Sequence, residues 1–236
     1  MNTLLSKGNT NSKLAKNEKY GYDTSYILYL SPYKQNDKGK NVCPKASKGC
    51  ISGCLFTAGL GVFSNVQKAR IDKTNLLFSD RQTFLTMLWN ELEKINKKAG
   101  KKLHTVPVRL NGTSDLDWIA LFETIGKDPL SLENIIFYDY TKVGKRLEKY
   151  KASNYHLTFS RSESNENEAI DLLTKGHNVA VVFKKELPKT WNGFPVIDGD
   201  LNDLRFTDRR QVVVGLKAKG KARKDSTGFV VNYQPN

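Results

Sequence analysis

Apolar residues along the chain fall into short runs that alternate with polar turns and with stretches of helical period. Tyr26-Ile27-Leu28-Tyr29-Leu30 is aromatic and aliphatic throughout and is stopped by Ser31-Pro32, which predicts a buried strand. Comparable runs recur at 106–110, 135–140, 155–159, 179–183 and 212–216. Between the first two, Phe84, Leu85, Leu88, Trp89, Leu92 and Ile95 recur at helical spacing. A capping box at Ser79–Gln82 opens that helix, and Gly100 marks its end. Further helices are predicted over the later part of 55–70, from a Ser114/Asp117 box to about Ile125, over 142–151, and over 166–174 before Gly176.

Strand, loop and helix alternate from Tyr26 to Phe183, which predicts a parallel α/β sheet. Several strands are apolar on both faces, as buried parallel strands must be. The chain has no G-x-G-x-x-G after the first strand and no P-loop pattern, which argues against a dinucleotide fold or a P-loop. Six strands fit a partial (βα)6 TIM-type barrel, with an open doubly wound sheet as the other solution. Both bind ligands at the carboxyl ends of their strands. Residues 1–24 are polar and rich in Lys and Asn, so they read as a loose arm without a signal peptide, leaving 25–236 as one domain. No apolar run approaches the roughly 20 residues of a membrane span, so no membrane partner is expected.

The chain has only three cysteines, Cys43, Cys50 and Cys54, spaced C-x6-C-x3-C. An odd, clustered set in a chain without a signal peptide argues against disulfides. Buried free thiols usually sit in apolar runs, but these sit among Pro44, Lys45, Ser47, Gly49 and Gly53. Structural zinc wants four ligands, usually from C-x2-C pairs. Three thiolates from one irregular loop suit three irons of a 4Fe–4S cube. Ligand count and spacing favour the cluster, with Gly49 and Gly53 letting backbone N–H groups approach its sulfides. With no fourth Cys, the remaining iron falls to solvent, a ligand or another side chain. Asp115 and Asp139 are nearest by topology, ahead of His104, His156 and His177.

The cysteine loop follows the first strand and so lies on the functional edge. Asn111, Ser114 and Asp115 follow the second strand, Asp139 ends the third, and Arg161 follows the fourth. These residues would line a mouth for a small-molecule ligand. Asp200, Asp203 and Arg205 would join them if the late segment folds back. Otherwise they are a solvated loop with local ion pairs.

Charge adds a second reading. The chain carries 38 Lys and Arg against 24 Asp and Glu, a formal net charge of +14, which suggests an anionic partner, nucleic acid first. Lys217, Lys219, Lys221 and Arg223 occupy alternate positions and would share one face of a strand. With Lys142, Lys145, Arg146, Lys149 and Lys151 they would track phosphates.

Two resemblances follow from these residues. Val42-Cys43-Pro44-Lys45-Ala46 through Cys50 and Cys54-Leu55, then Gln67-Lys68-Ala69-Arg70 and Lys73-Thr74, resemble a family of tailed-phage proteins called gene product eighty-eight. So do Asp198-Gly199-Asp200, Asp203-Leu204-Arg205-Phe206, Asp208 and 214–220. The resemblance implies a phage protein made in the cytoplasm of an infected bacterium, and it implies no reaction. A cluster loop after the first strand of a partial barrel also resembles radical S-adenosylmethionine enzymes, whose three Cys hold a cube with an open iron for the cofactor. The sequence departs from their usual C-x3-C-x2-C loop. It also reads Asn111-Gly112-Thr113-Ser114-Asp115 where they place a Gly-Gly-Glu-like turn.

Overall fold

The computed structural model describes residues 3–8, 17, 19–22, 24–54, 56, 58–151 and 153–233. Its elements run β1 (Leu5–Lys7), β2 (Tyr26–Leu28), α1 (Lys48–Ser52), α2 (Ser64–Ser79), α3 (Arg81–Lys101), β3 (Val106–Arg109), α4 (Trp118–Glu123), β4 (Ile135–Thr141) and α5 (Lys145–Lys149). They continue with β5 (Tyr155–Ser160), α6 (Glu166–Thr174), β6 (Val179–Phe183), β7 (Thr190–Trp191), β8 (Phe194–Asp198), β9 (Val213–Lys217) and β10 (Val230–Val231).

The strands form one ten-stranded sheet in the order β1-β2-β3-β4-β5-β6-β9-β8-β7, with β10 also on β6. From β2 to β8 every neighbour is parallel. The expected barrel is corrected here, because the sheet does not close. Antiparallel β1 occupies the free edge of β2, and the β7–β8 hairpin ends the other side. The chain also lays down β8 outside β9, which breaks the one-directional winding that a closed barrel needs. Strand β10 pairs Val182 and Phe183 of β6, beyond the point where β5 has left off.

Helices cover one face of the sheet. Phe84, Leu88 and Leu92 of α3 pack with Trp118 and Phe122 of α4 over Val106, Val108, Ile135 and Phe137. Leu172 and Leu173 of α6 pack over Phe159, Val179 and Val181. Strand alternation sends Tyr138 to the other face, where its ring meets Phe206 from a 3-10 turn at Arg205–Thr207. His156 and Tyr22 meet the same Phe206 ring. The late segment therefore covers the face that would be the interior of a barrel.

Within 1–24, residues 1, 2, 9–16, 18 and 23 lie outside the described residues. Leu4 is fully buried, and its amide and that of Leu5 donate to the Glu91 carboxylate at 2.6 and 2.9 Å. Lys73 Nζ donates to the Leu4 carbonyl at 2.6 Å.

Both capping boxes shift. Ser79 ends α2, and Asp80 caps α3 by accepting from Thr83 N at 3.0 Å. Asp117, not Ser114, caps α4, accepting from Ala120 N at 3.3 Å. Helix α2 starts in the later part of 55–70 but runs on to Ser79, further than its pattern suggests, since its buried face carries Arg70, Lys73 and Thr74 beside Leu77. A polar buried face erases the apolar periodicity that would reveal it.

Candidate functional site

The chain leaving β2 crosses the carboxyl ends of the parallel strands and carries all three cysteines there. Cys43 N donates to Asn41 Oδ1 at 2.8 Å, and Tyr33 N donates to Cys43 Sγ at 3.4 Å. The Cys43 thiol reaches the Thr113 carbonyl, 3.7 Å away in the loop after β3. Cys50 lies in α1, capped by Ser47 Oγ, which accepts from Cys50 N at 3.2 Å. Glu163, beyond the end of β5, accepts from Gly49 N at 2.8 Å and from Ser47 Oγ at 2.7 Å. Burial works to raise this carboxyl, but the donors from Gly49 and Ser47 prevail and hold it below its ordinary value.

The two glycines of the loop have a different task from the one expected. The Gly49 N–H is taken by Glu163 and the Gly53 N–H by the Gly49 carbonyl. A methyl on Gly49 would run into Thr227 Oγ1 and Phe229 Cβ, and one on Gly53 would lie 3.1 Å from Ala222 Cβ. Both permit close packing against the C-terminal segment.

The three thiols are half-buried, and they lie near enough for Cys50 and Cys54 to act on Cys43 and for Cys50 to act on Cys54. Burial pushes Cys43 up to about 12, opposed by the Tyr33 N–H and reinforced by Cys54, Cys50 and Asp115. Burial also raises Cys50, opposed by Lys142, and Cys54, opposed by the Phe56 N–H and by Arg70. Two buried cations therefore flank the thiols. Lys142 Nζ donates to Ser160 Oγ at 2.7 Å and to the Ser160 carbonyl at 3.1 Å. Burial lowers the Lys142 pKa, while Cys50 and Asp115 oppose that shift. Among the described residues, no three His, Cys, Asp or Glu side chains are gathered tightly enough to hold a single ion.

The other expected residues divide between scaffolding near the thiols and a second cluster. Asp115 borders the thiols, but its Oδ1 accepts from Thr141 Oγ1 at 2.8 Å and Arg146 Nη1 at 2.9 Å. Its Oδ2 accepts from Lys142 N at 2.9 Å. Asn111 Oδ1 accepts from Ser114 Oγ, Leu116 N and Trp118 Nε1, so Asn111 and Ser114 shape the loop after β3. Arg161 pairs with Glu166 and donates to the Gly228 and Phe229 carbonyls, holding β10 against β6.

Asp139 is fully buried. It accepts from Asn111 N at 2.9 Å and Leu110 N at 3.3 Å, and from the Tyr155 hydroxyl at 2.8 Å. Arg109 Nε lies 3.8 Å from it, and Arg109 Nη1 donates to Asp203 Oδ2 at 2.9 Å. Asp203 therefore joins Arg109 and Asp139, not the cysteines. Arg205 is buried beside Asn202 and Asp208. Asp200 accepts from Lys219 Nζ and Lys217 N at the surface.

Burial pushes Asp139 up to about 7, although Arg109, Tyr155 and the Asn111 amide favour its charged form. A carboxyl raised in the native state keeps its proton there after the unfolded chain has lost it. This group therefore makes stability fall as pH rises from about 4 to about 7. Asp139→Asn is expected to flatten that part of the stability curve, as read from urea unfolding at a series of pH values. An unchanged slope would assign the pH dependence elsewhere.

The expected basic face is corrected by the backbone. Strand β9 ends at Lys217 and Gly220–Lys224 is a 3-10 turn, so Lys217, Lys219, Lys221 and Arg223 do not alternate along one strand. Lys142 is buried beside the thiols, and Arg146 is committed to Asp115. Lys149 and Lys151 face Asp117 and Glu148. The residues that sequence reasoning missed beside the thiols are Glu163, Arg70 and Lys142 in its buried role. In sequence each is an ordinary charged residue, and only the fold shows which ones are taken out of water.

No curated protein and no solved structure matches the chain, and nothing in the comparisons supports the likeness to radical S-adenosylmethionine enzymes. No helix among the described residues is long and apolar enough to cross a membrane. A family model described as Gene product 88 matches residues 3–233, taking in the cysteine loop, the parallel strands and the late Asp/Arg segment. The chain belongs to the Gene product 88 family of bacteriophage proteins.

Proposed function

We propose that this phage protein binds a 4Fe–4S cluster through Cys43, Cys50 and Cys54, in the cytoplasm of the infected bacterium. The fourth iron is completed by a non-cysteine group or by a small ligand. The observation that carries this reading is that all three half-buried thiols lie near enough at the strand ends to act on one another's charge. Three thiolates and inorganic sulfide are anionic, and Lys142 and Arg70 stand beside Cys50 and Cys54 to offset that charge. A single tetrahedral zinc would need its thiolates about 3.8 Å apart around one point. A cube instead spreads its thiolates over separate irons. Neither Asp115 nor Asp139 is the natural fourth ligand, since every oxygen of both already accepts hydrogen bonds. Anaerobic purification is expected to yield a brown, oxygen-sensitive protein with about four irons and four sulfides per chain. A colourless anaerobic preparation with one zinc per chain would refute the cluster.

A second reading, nucleic-acid binding around a structural cluster, draws on the charge at the rim of the same loop. Lys45 and Lys48 are exposed, as are Lys221, Arg223 and Lys224 on the turn whose Ala222 packs against Gly53. Binding to single-stranded or duplex DNA is then expected to weaken steeply with salt, by about 0.7–0.9 in log K per phosphate neutralised for each unit of log salt. Weak binding with a flat salt dependence would dismiss this reading.

A further inference from the structure

The turn between α3 and β3 breaks two local rules at one residue. Helix α3 ends in a Schellman motif, in which His104 N donates to the Ala99 carbonyl at 3.3 Å and Leu103 N to the Gly100 carbonyl at 3.1 Å. The residue after the cap turns left-handed, and glycine is the usual choice there. This chain places Leu103 at that point, with a φ of 54° and an exposure of 94 %. A left-handed leucine is strained and a bare apolar side chain is unfavourable in water. A side chain that exposed packs on nothing in the fold to offset either. Breaches of this kind are kept at functional sites.

Leu103 lines a groove of about 590 Å³ together with Tyr20, Tyr22, His104 and Asn134. The groove lies at the amino ends of β3 and β4, the end of the sheet away from the cysteines. Tyr22 is engaged with Phe206, but Tyr20 is 50 % exposed and His104 is exposed, so two rings are open to a ligand. Asn134 uses its backbone N–H on Asn96, which leaves its side-chain amide to the groove. Lys97, Lys98, Lys101 and Lys102 lead into Leu103 along the end of α3, and Lys19 precedes Tyr20. All five are exposed, and none forms an ion pair among the described residues. Glu133, exposed beside Asn134, pairs with none of them. The helix dipole accounts for cations at this end of α3. It does not account for an exposed leucine and tyrosine among them.

We propose that this groove binds single-stranded nucleic acid, with a base against Tyr20 and Leu103 and phosphates on the lysines that end α3. Unpaired lysines select an anionic partner. Open rings and a bare apolar side chain select one with a flat face to stack, and a nucleotide carries both features. A duplex keeps its base faces inside the stack, so the single strand is the form that fits. The groove is at the opposite end of the strands from the cysteines. The proposal therefore rests neither on the cluster nor on the basic rim of the cysteine loop, and it gives nucleic acid a different surface.

The test is fluorescence anisotropy of the full chain with labelled oligo-dT and oligo-rU of about 15 nucleotides, a length that spans such a site, beside a duplex of equal length. At least one single strand is expected to bind more tightly than the duplex. Tyr20→Ala is expected to weaken that binding about tenfold, the scale of one lost stacking contact, and Tyr20→Phe to keep it. Replacing Lys101 and Lys102 together by Gln should lower the slope of log K against log salt by about 1.4, or about 0.7 for each phosphate contact. Leu103→Gly should bind more weakly yet melt no lower than the wild type, because glycine relieves the left-handed strain. That pairing separates a binding role from a structural one. A wild type that binds neither strand, a duplex bound as tightly, or Tyr20→Ala and Leu103→Gly variants that bind like the wild type would overturn the proposal. Polyglutamate displacing the label as well as unlabelled oligo-dT would also overturn it, in favour of an acidic protein partner. If Lys221→Gln with Lys224→Gln abolishes binding while the Lys101 and Lys102 variant keeps it, the proposal falls and the rim of the cysteine loop is the nucleic-acid surface.

Discussion

Cys50→Ala is expected to abolish the cluster and to loosen the segment that carries it. Cys50 lies in the middle of α1, and Ser47 and Glu163 hold that short helix to the end of β5. The loop around it has little apolar burial of its own, Pro32 and Val42 being the buried apolar side chains between Ser31 and Cys54. Where a loop orders itself poorly without metal, the energy of ligation becomes folding energy. Iron should fall from about four per chain to near zero, and limited proteolysis should open the chain between Pro32 and Cys54. Cys43→Ala and Cys54→Ala should do the same, since a cube held by two thiolates is not retained. Any one of these variants that keeps its full iron content would strike that residue from the ligand set.

Arg109→Leu should be the most destabilising single change away from the cysteines. Its guanidinium is shared between Asp203 at 2.9 Å and Asp139 at 3.8 Å, and the two carboxylates are 3 % and 0 % exposed. Burial opposes the Arg109 charge, and Asp203 and Asp139 prevail, keeping it protonated. Removing it leaves two buried carboxylates uncompensated, at a cost of about 3–5 kcal/mol for breaking one partner out of a buried pair. Asp203 also ties the late segment over the sheet, so its release should expose the Tyr138–Phe206 contact. Replacing the pair together, as Arg109→Leu with Asp203→Leu, should recover part of the loss, because no lone charge remains on that side. Urea unfolding of the two single variants and the double variant measures this coupling. A loss under about 1 kcal/mol for Arg109→Leu alone would mean that the cluster is already hydrated.

The deep location of that cluster explains why the sequence reads so differently at its two kinds of polar residue. Asp139 and Asp203 stand out in the sequence as site candidates, and both lie in the buried cluster around Arg109. Arg70, Lys142 and Glu163 look like surface residues, and they border the thiols. Intrinsic chemistry is written in the residue type, but desolvation is a property of everything packed around it.

Features set by neighbours along the chain were therefore legible from the sequence alone. Six of the parallel strands, β2 to β6 and β9, appear where short aromatic and β-branched runs occur, α3 where its helical stripe lies, and the cysteine loop after the first of those runs. Even the β7–β8 hairpin, absent from that reading, had a local signal. Asn192-Gly193 forms its turn with φ of 48° and 81°, and Asn-Gly between apolar flanks is the strongest short-range mark of a hairpin. Tertiary structure decided the rest. Whether the sheet closes depends on which strand takes each edge, a competition settled by β1 and β8 from opposite ends of the chain. Which cations lose their water depends on contacts such as Arg70 with Tyr29 and Phe56, or Lys142 with Ser160. Periodicity is a local property of the backbone and can be read one window at a time. Edge pairing and burial are sums over distant residues, and only the folded chain evaluates them.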